Sequence, residues 1–338
     1  MAFLTANSYL GLIAEATRGT LPGSGTPTYI PIQTPQITPM QTFLRDEALR
    51  GSPTLVYDNV QGVRHDEVEF KTFIYADTFP LLLTAVLGGN DTVTGTGPYT
   101  HAIKLYNNAA NGSQPKSYSL LDFDGANYFT VTGAQADSLN LTFGAEAAAD
   151  ATIKFFGNPY TSYTTAPAPF TSLSLSTEHM VPAWDTTITV GGTTFTYIAT
   201  GELLLSRKTQ PIFTMGTQAP HVNFAGPLEV TGKFTAVVDS TSDSWSTGSG
   251  ATALTRSPQA VVITFSDPND ATGGTQHSVS FTMTSAQFHN VKRTRGKEYT
   301  EVEVEFTANA DTTDATTGYS PIATTTINGT STAYQTGY

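Results

Sequence analysis

Few residues of this chain are typed and spaced for chemistry. Its six histidines, His65, His101, His179, His221, His277 and His289, show neither a His-x-His nor a His-Glu-x-x-His spacing, so no zinc centre is read from them. Cysteine is absent, which removes disulfides, thiolate metal sites and thiol nucleophiles together. Gly23-Ser24-Gly25 and Gly248-Ser249-Gly250 lie in loop-like sequence without the strand and helix that a nucleophile elbow or a Walker loop needs. Asp122-Phe123-Asp124-Gly125 opens like a calcium loop but lacks the third acidic ligand and the closing Glu, and reads as an Asp-Gly hairpin turn between 117–122 and 126–132. The carboxylate neighbours Asp66/Glu67 and Asp311/Asp314 have no signature of glycoside chemistry and read as solvated charges. The expectation is a protein that is not an enzyme, with no catalytic residues, no cofactor and no metal.

The remaining chemistry is electrostatic. Lys292, Arg293, Arg295 and Lys297 surround a turn at Gly296 and are followed by Glu298, Glu301, Glu303 and Glu305. Such a basic tip lacks the interleaved aromatics of a nucleic-acid groove, Tyr299 excepted, and its neighbouring strand is acidic; pairing with an acidic patch of another subunit is the better reading. The whole chain agrees: its 338 residues carry a net charge of −12, which opposes phosphate binding. Hydrophobic residues make up 39% and charged ones 13%, and the longest apolar stretch, 79–87, is far too short to span a bilayer. The first twenty residues lack the basic and apolar regions of a signal peptide, so folding in a cytoplasm without membrane anchoring is expected.

Elements that would position these charges read mainly as strands, by alternation and β-branched content, as in Glu67–Tyr75, Ser138–Thr142 and Thr300–Phe306. One helix is expected over Phe79–Leu87, with Asp77 or Thr78 as N-cap, Pro80 in the first turn and Gly88 as its stop. Residues 166–185, with Pro167, Pro169 and Pro182 among Ser and Thr, read as a linker between a first unit at 1–165 and a second at 186–310, followed by a polar arm at 311–338. Each half, 1–165 and 166–338, carries 14 acidic and 8 basic residues. A repeat accompanies this balance. Glu67, Lys71 and Asp77 match Glu229, Lys233 and Asp239 at an offset of 162; Thr132 and Gln135 match Thr284 and Gln287 at 152; Ile153 and Phe155 match Val304 and Phe306 at 151. The repeated hairpins are two-sided: Leu139, Leu141, Ile153 and Phe155, or Val291, Val302, Val304 and Phe306, face a core, and polar residues face away.

Several short motifs then recur in a familiar order. Ser8-Tyr9-Leu10-Gly11, Glu15, Arg18-Gly19-Thr20, Arg50-Gly51, the helix after Asp77-Thr78, Thr132-Gly133-Ala134, Phe156-Gly157-Asn158-Pro159, Thr200-Gly201-Glu202-Leu203 and Gly226-Pro227-Leu228-Glu229 resemble the major tail tube proteins of long-tailed, non-contractile bacteriophages, over about 7–310. The resemblance implies a mainly β fold of two tandem sandwich or barrel units with a flanking helix, whose inner sheets close into a ring barrel on oligomerisation. It further implies a virion structural protein that forms stacked rings, here trimers with pseudo-sixfold symmetry, contacts tape measure and tail-end proteins, and passes DNA through its lumen without specific binding. The lumen-facing candidates are Ser138, Asn140, Thr142, Thr152 and Lys154 in the first unit and Asn290, Lys292, Glu301, Glu303 and Glu305 in the second. Candidates for subunit contacts are Arg45, Arg50, Arg293, Arg295 and Lys297, and for ring-to-ring contacts an expected long loop at 34–59, 208–227 and 311–338. The competing reading, a surface adhesin or carbohydrate-binding sandwich, requires Trp184, Tyr197 and Trp245 in a shallow groove.

Overall fold

The computed structural model describes residues 5–107, 112–195, 197–238, 257–295 and 298–335. In the first half the strands are β1 (Tyr9–Ala14), β2 (Thr28–Ile30), β3 (Thr34–Asp46) and β4 (Asp58–Phe73), then helix α1 (Phe79–Leu87). β5 (Thr92–Thr94), β6 (Tyr99–Lys104), β7 (Tyr118–Phe123), β8 (Tyr128–Gly144), β9 (Asp150–Gly157) and β10 (Thr161–Tyr163) follow. The second half contains β11 (Thr186–Val190), β12 (Thr193–Phe195), β13 (Ile198–Ser206), β14 (Gln210–Ile212), β15 (Val222–Phe224) and β16 (Glu229–Val237). It continues with β17 (Gln259–Thr272), β18 (Thr275–Thr294), β19 (Glu301–Ala308) and β20 (Ala323–Asn328).

All these strands pair antiparallel; β14 and β15 form a small sheet of their own, and the rest are organised around one long sheet that both halves share. Its order is β3-β4-β9-β8-β13-β16-β19-β18, and the halves meet where β8 pairs with β13, Leu139 opposite Leu205 and Leu141 opposite Leu203. A second layer packs on its apolar side. In the first half it runs β2-β1-β7-β8-β10, and in the second β12-β11-β17-β18-β20. The same pairing order therefore occurs twice. β8 and β18 are long enough to serve both layers, β8 turning from one to the other near Gly133, whose φ of 63° and close neighbour Asn158 leave no room for a side chain.

Register sharpens the correspondence. The β8–β9 hairpin has an irregularity between Ala136 and Ser138, and the β18–β19 hairpin has one between Phe288 and Asn290; Ala136 opposes Phe155 as Phe288 opposes Phe306. These positions are related by the offsets of 152 and 151 read from the sequence. For the preceding strand the spatial offset is 164, not 162, because Phe70 lies opposite Ile153 as Phe234 lies opposite Val304. An even slip leaves every side chain on its face, so matching the buried phenylalanines overrides the Glu-Val and Lys matches.

α1 forms because Pro80 fixes the first turn and Gly88, at φ 77°, closes the last by donating its N–H to the Thr84 carbonyl. All nine of its residues are buried, as expected for its bulk, but neither Asp77 nor Thr78 caps it through a side chain; the Thr78 and Phe79 N–H groups bond to the Tyr75 carbonyl instead. The segment of the second half that corresponds to α1, 239–256, lies outside the described residues. Two segments differ from expectation. Residues 34–59 are not a loop but a hairpin of β3 and β4 that projects past the sheet. The expected polar arm contributes β20, which sits between β18 and β6 and so joins the halves a second time, with Thr324 buried and bonded to the Ile103 carbonyl. The 166–185 segment lacks long strands, and its Phe170 packs on Ile13, Tyr29 and Leu121.

Candidate functional site: the polar sheet face and the sheet edges

The shared sheet has one face turned to the core and one polar face. Cross-strand partners lie on the same face, and the registers string polar residues across the strands in rows. One row runs Glu69, Lys154, Ser138, Ser206, Glu229; the next Lys71, Thr152, Asn140, Leu204, Thr231; a third Asp150, Thr142, Glu202, Lys233, Glu305, Asn290. Glu303 opposes Thr235 and Lys292, and Glu301 opposes Thr294. All ten residues expected to share a polar face, Ser138, Asn140, Thr142, Thr152, Lys154, Asn290, Lys292, Glu301, Glu303 and Glu305, are thus brought onto one surface that crosses both halves.

Carboxylates dominate it. Glu67, Glu69, Asp150, Glu202, Glu229, Glu301, Glu303 and Glu305 stand against Lys71, Lys154, Lys233 and Lys292. Lys154 pairs with Glu67 at 2.7 Å, Lys71 with Asp150 at 2.9 Å and Lys233 with Glu202 at 2.8 Å. The hydrogen bond from Lys233 holds the Glu202 carboxyl below its usual value against the opposing effect of partial burial, and the same bond raises the Lys233 ammonium. Asn290 donates to Glu305 at 3.0 Å, and Lys292 opposite Glu303 relieves the repulsion within the glutamate row. Sequence reading missed Glu67, Glu69, Lys71, Asp150, Glu202, Glu229 and Lys233 as members of this face. The period-two pattern of 67–71 carried the signal for three of them, while Asp150 and Glu202 become neighbours only through the β8–β13 junction.

The subunit-contact candidates lie elsewhere. Arg45 and Arg50 belong to the projecting β3–β4 hairpin, where Arg50 pairs with Asp46 and lies over the Tyr57 ring at 5.0 Å. This hairpin exposes Phe43, Leu44, Leu49, Leu55 and Val60. Arg293 lies in β18 opposite Val302, Arg295 follows that strand, and Lys297 lies outside the described residues. The corresponding 208–227 connection folds back on the first half instead: Arg64 N–H donates to the Gln218 carbonyl, Gln114 and Ala225 exchange two bonds, and Asn223 donates to the Gly133 carbonyl.

Two pairs read as solvated are only partly so. Asp66 is wholly buried, accepting the Tyr160 N–H at 2.7 Å, and desolvation raises its carboxyl. Asp314 is buried too and accepts both the N–H and the hydroxyl of Thr284. The Asp122–Gly125 segment is a hairpin turn in which Asp124 accepts the Ala126 and Asn127 N–H groups. His179, Asp267 and Asp270 bring ligand-type atoms within 4.8 Å of one another; Asp270 accepts the His179 N–H and lies 3.1 Å from its ring nitrogen, and Asp267 accepts the Asn269 N–H. Of the aromatics that an adhesin groove would need, Trp184 and Tyr197 are exposed, and Trp245 lies outside the described residues.

A broad polar wall backed by a hydrophobic layer, with arginine-bearing projections, defines a structural β protein built to assemble. The sequence model of the phage tail tube protein family matches residues 5–308, and the chain belongs to that family. No curated protein matches the chain. Membership makes it a structural subunit of the virion tail that assembles into a tube and associates with other tail proteins, a role without enzymatic chemistry. Among the described residues no helix is long and apolar enough to cross a membrane.

Proposed function

We propose that the chain consists of two copies of one tail-tube unit, 1–165 and 186–310, joined by 166–185, and that three chains close into a ring of six units whose stacked copies form the conduit for DNA ejection. The observation that carries this reading is the shared sheet: two equivalent four-strand sets lie side by side through β8 and β13, and the same two strand types, β18 and β3, stand at its ends. Continuing that arrangement through three chains gives a closed barrel of about 24 strands and removes the open edges. With strands about 4.8 Å apart and tilted about 40°, its backbone diameter is about 45–50 Å, wider than the aqueous porin barrels of 16–18 strands.

In this arrangement the polar face lines the lumen. Its excess of carboxylates repels phosphate, and three of its four lysines, Lys71, Lys154 and Lys233, are occupied by neighbouring carboxylates, so DNA passes without being held. The apolar tip of the β3–β4 hairpin, with Arg45 and Arg50, is assigned to contacts between rings, and Arg293, Arg295 and Lys297 to contacts between subunits. Negative-stain microscopy and native mass measurement of the concentrated protein test the reading: rings and tubes of three chains per ring are expected, and monomers under every salt and temperature condition would overturn it.

A further inference from the structure

We propose that the seam between chains copies the junction within the chain, with β18 of one copy pairing antiparallel to β3 of a second copy in a single register, Arg293 opposite Ile37 and Val291 opposite Pro39. The inference rests on the ring reading above and adds its contact strands and their register. Among the described residues, β3 has a strand neighbour on one side only, β4, and the 290–294 part of β18 has only β19. Their counterparts β13 and β8 are paired on both sides, with each other and with their own units.

The register follows from correspondence. Ile37 opposes Val68 as Leu203 opposes Gly232, and Val68 corresponds to Gly232 through the matched Phe70 and Phe234. Leu141 corresponds to Arg293 through the matched irregularities of the two hairpins. Because Leu141 lies opposite Leu203, Arg293 lies opposite Ile37 of the next copy.

Backbone direction supports the same edge. The Arg207 N–H donates to the Asp137 carbonyl at 2.7 Å, and the Ala145 N–H to the Ala199 carbonyl at 3.0 Å, so the odd-numbered residues of β13 address β8. The matching positions of β3 are also odd-numbered and include Pro35 and Pro39. Proline there takes nothing from the β4 ladder, since those backbone groups point outward, but it removes two donors from the seam. The edge is thereby blunted against indiscriminate pairing while keeping its carbonyls and the Ile37 N–H for a fitting partner. On the polar face the seam sets Lys292 beside Thr38, between Glu303 of its own chain and Glu67 of the next.

The natural lack of cysteine permits a direct test. Lys292 and Thr38 form a non-hydrogen-bonded pair in this register, about 4.5 Å apart at Cα, within disulfide reach. A two-residue slip moves the partner about 6.6 Å along the strand and out of reach. Under mild oxidation the Thr38→Cys/Lys292→Cys protein is expected to run on non-reducing gels as two- and three-chain species, with at least about tenfold more product than Met40→Cys/Lys292→Cys. Equal or greater linking of the slipped pair, or no linking in either, in samples whose rings are visible by microscopy overturns the register and leaves the ring reading standing. Absence of rings in the unmodified protein overturns both.

Discussion

The junction between β8 and β13 and the two ends of the shared sheet use equivalent strands for opposite purposes. At the junction four leucines, Leu139, Leu141, Leu203 and Leu205, meet with no exposure at all, and Arg207 extends the strand to donate from Nε to the Val86 carbonyl at 2.7 Å and from a terminal nitrogen to that of Leu87 at 3.0 Å. At the ends the matching positions are Val291, Arg293, Ile37 and Pro39, none of them fully buried, and Gln41 stands where Arg207 does. Apolar burial and helix-end contacts make the junction permanent; in the proposed seam, charge and proline would make the pairing conditional.

The largest test of that contrast places an acid at corresponding positions. Leu203→Asp buries an uncompensated carboxylate in the middle of the core and is expected to cost about 4 kcal/mol or more, enough to leave the protein insoluble or unfolded in urea titrations. Ile37→Asp, at a partly buried position packed on the edge of the core, is expected to cost the monomer only about 1–2 kcal/mol while abolishing rings in negative stain. Equal destabilisation by both would mean that β3 is already part of a closed core in the single chain.

Arg207→Ala comes next. It removes a buried guanidinium that satisfies carbonyls at the C-terminal end of α1 and complements the helix dipole, so a loss of about 3 kcal/mol in urea denaturation is expected. Gln41→Ala, its counterpart, is expected within about 0.5 kcal/mol of the parent. A smaller loss at Arg207 would show that α1 is held by packing alone.

The same contrast explains what could be read from residues alone. The two-sided hairpins were legible at 138–142, 152–155 and 301–306 because strand alternation is local and each side chain declares its face within two residues. α1 was legible from Pro80, Gly88 and its unbroken apolar run. The β8–β13 junction was not, since Leu139 and Leu205 look alike whether they face a partner strand or a helix, and their pairing spans more than sixty residues of chain. The C-terminal strand was hidden by composition: its alternate threonines read as solvated, yet Thr324 and Thr326 are buried between layers. Asp66 and Asp314 were misjudged because a buried carboxylate is distinguished by the N–H groups aimed at it, which sequence does not display.

Charge on the polar face offers a functional rather than a thermodynamic contrast. Replacing Glu301, Glu303 and Glu305 together by Lys is expected to leave circular dichroism and urea midpoint nearly unchanged, because these side chains stand outside the core, and to slow or block DNA delivery by phage carrying the change. The same triple change should make assembled tubes retain DNA in a manner that weakens with added salt. Unaltered infectivity would place these glutamates away from the lumen.

The smallest expected effect lies where the connecting segment packs on the second half. Glu178, in the connecting segment, sits 3.2 Å from the buried ring of His277 on β18 and is pushed up to about 8 by desolvation and by the neighbouring carboxylates Asp77, Asp270 and Asp267. A carboxyl raised on folding keeps its proton in the folded chain and loses it in the unfolded one between about 4.5 and 8. The folded state therefore binds more protons in that window, and stability falls as pH rises through it. Glu178→Gln removes this group's share, so the melting temperature of the variant should fall less steeply from pH 5 to pH 8.5 than the parent's. Because Glu178 remains partly open to solvent, the gain near pH 8 is expected to be only about 1–2 °C. A variant that loses stability equally at every pH would show instead that contact with His277, and not the retained proton, is what Glu178 contributes.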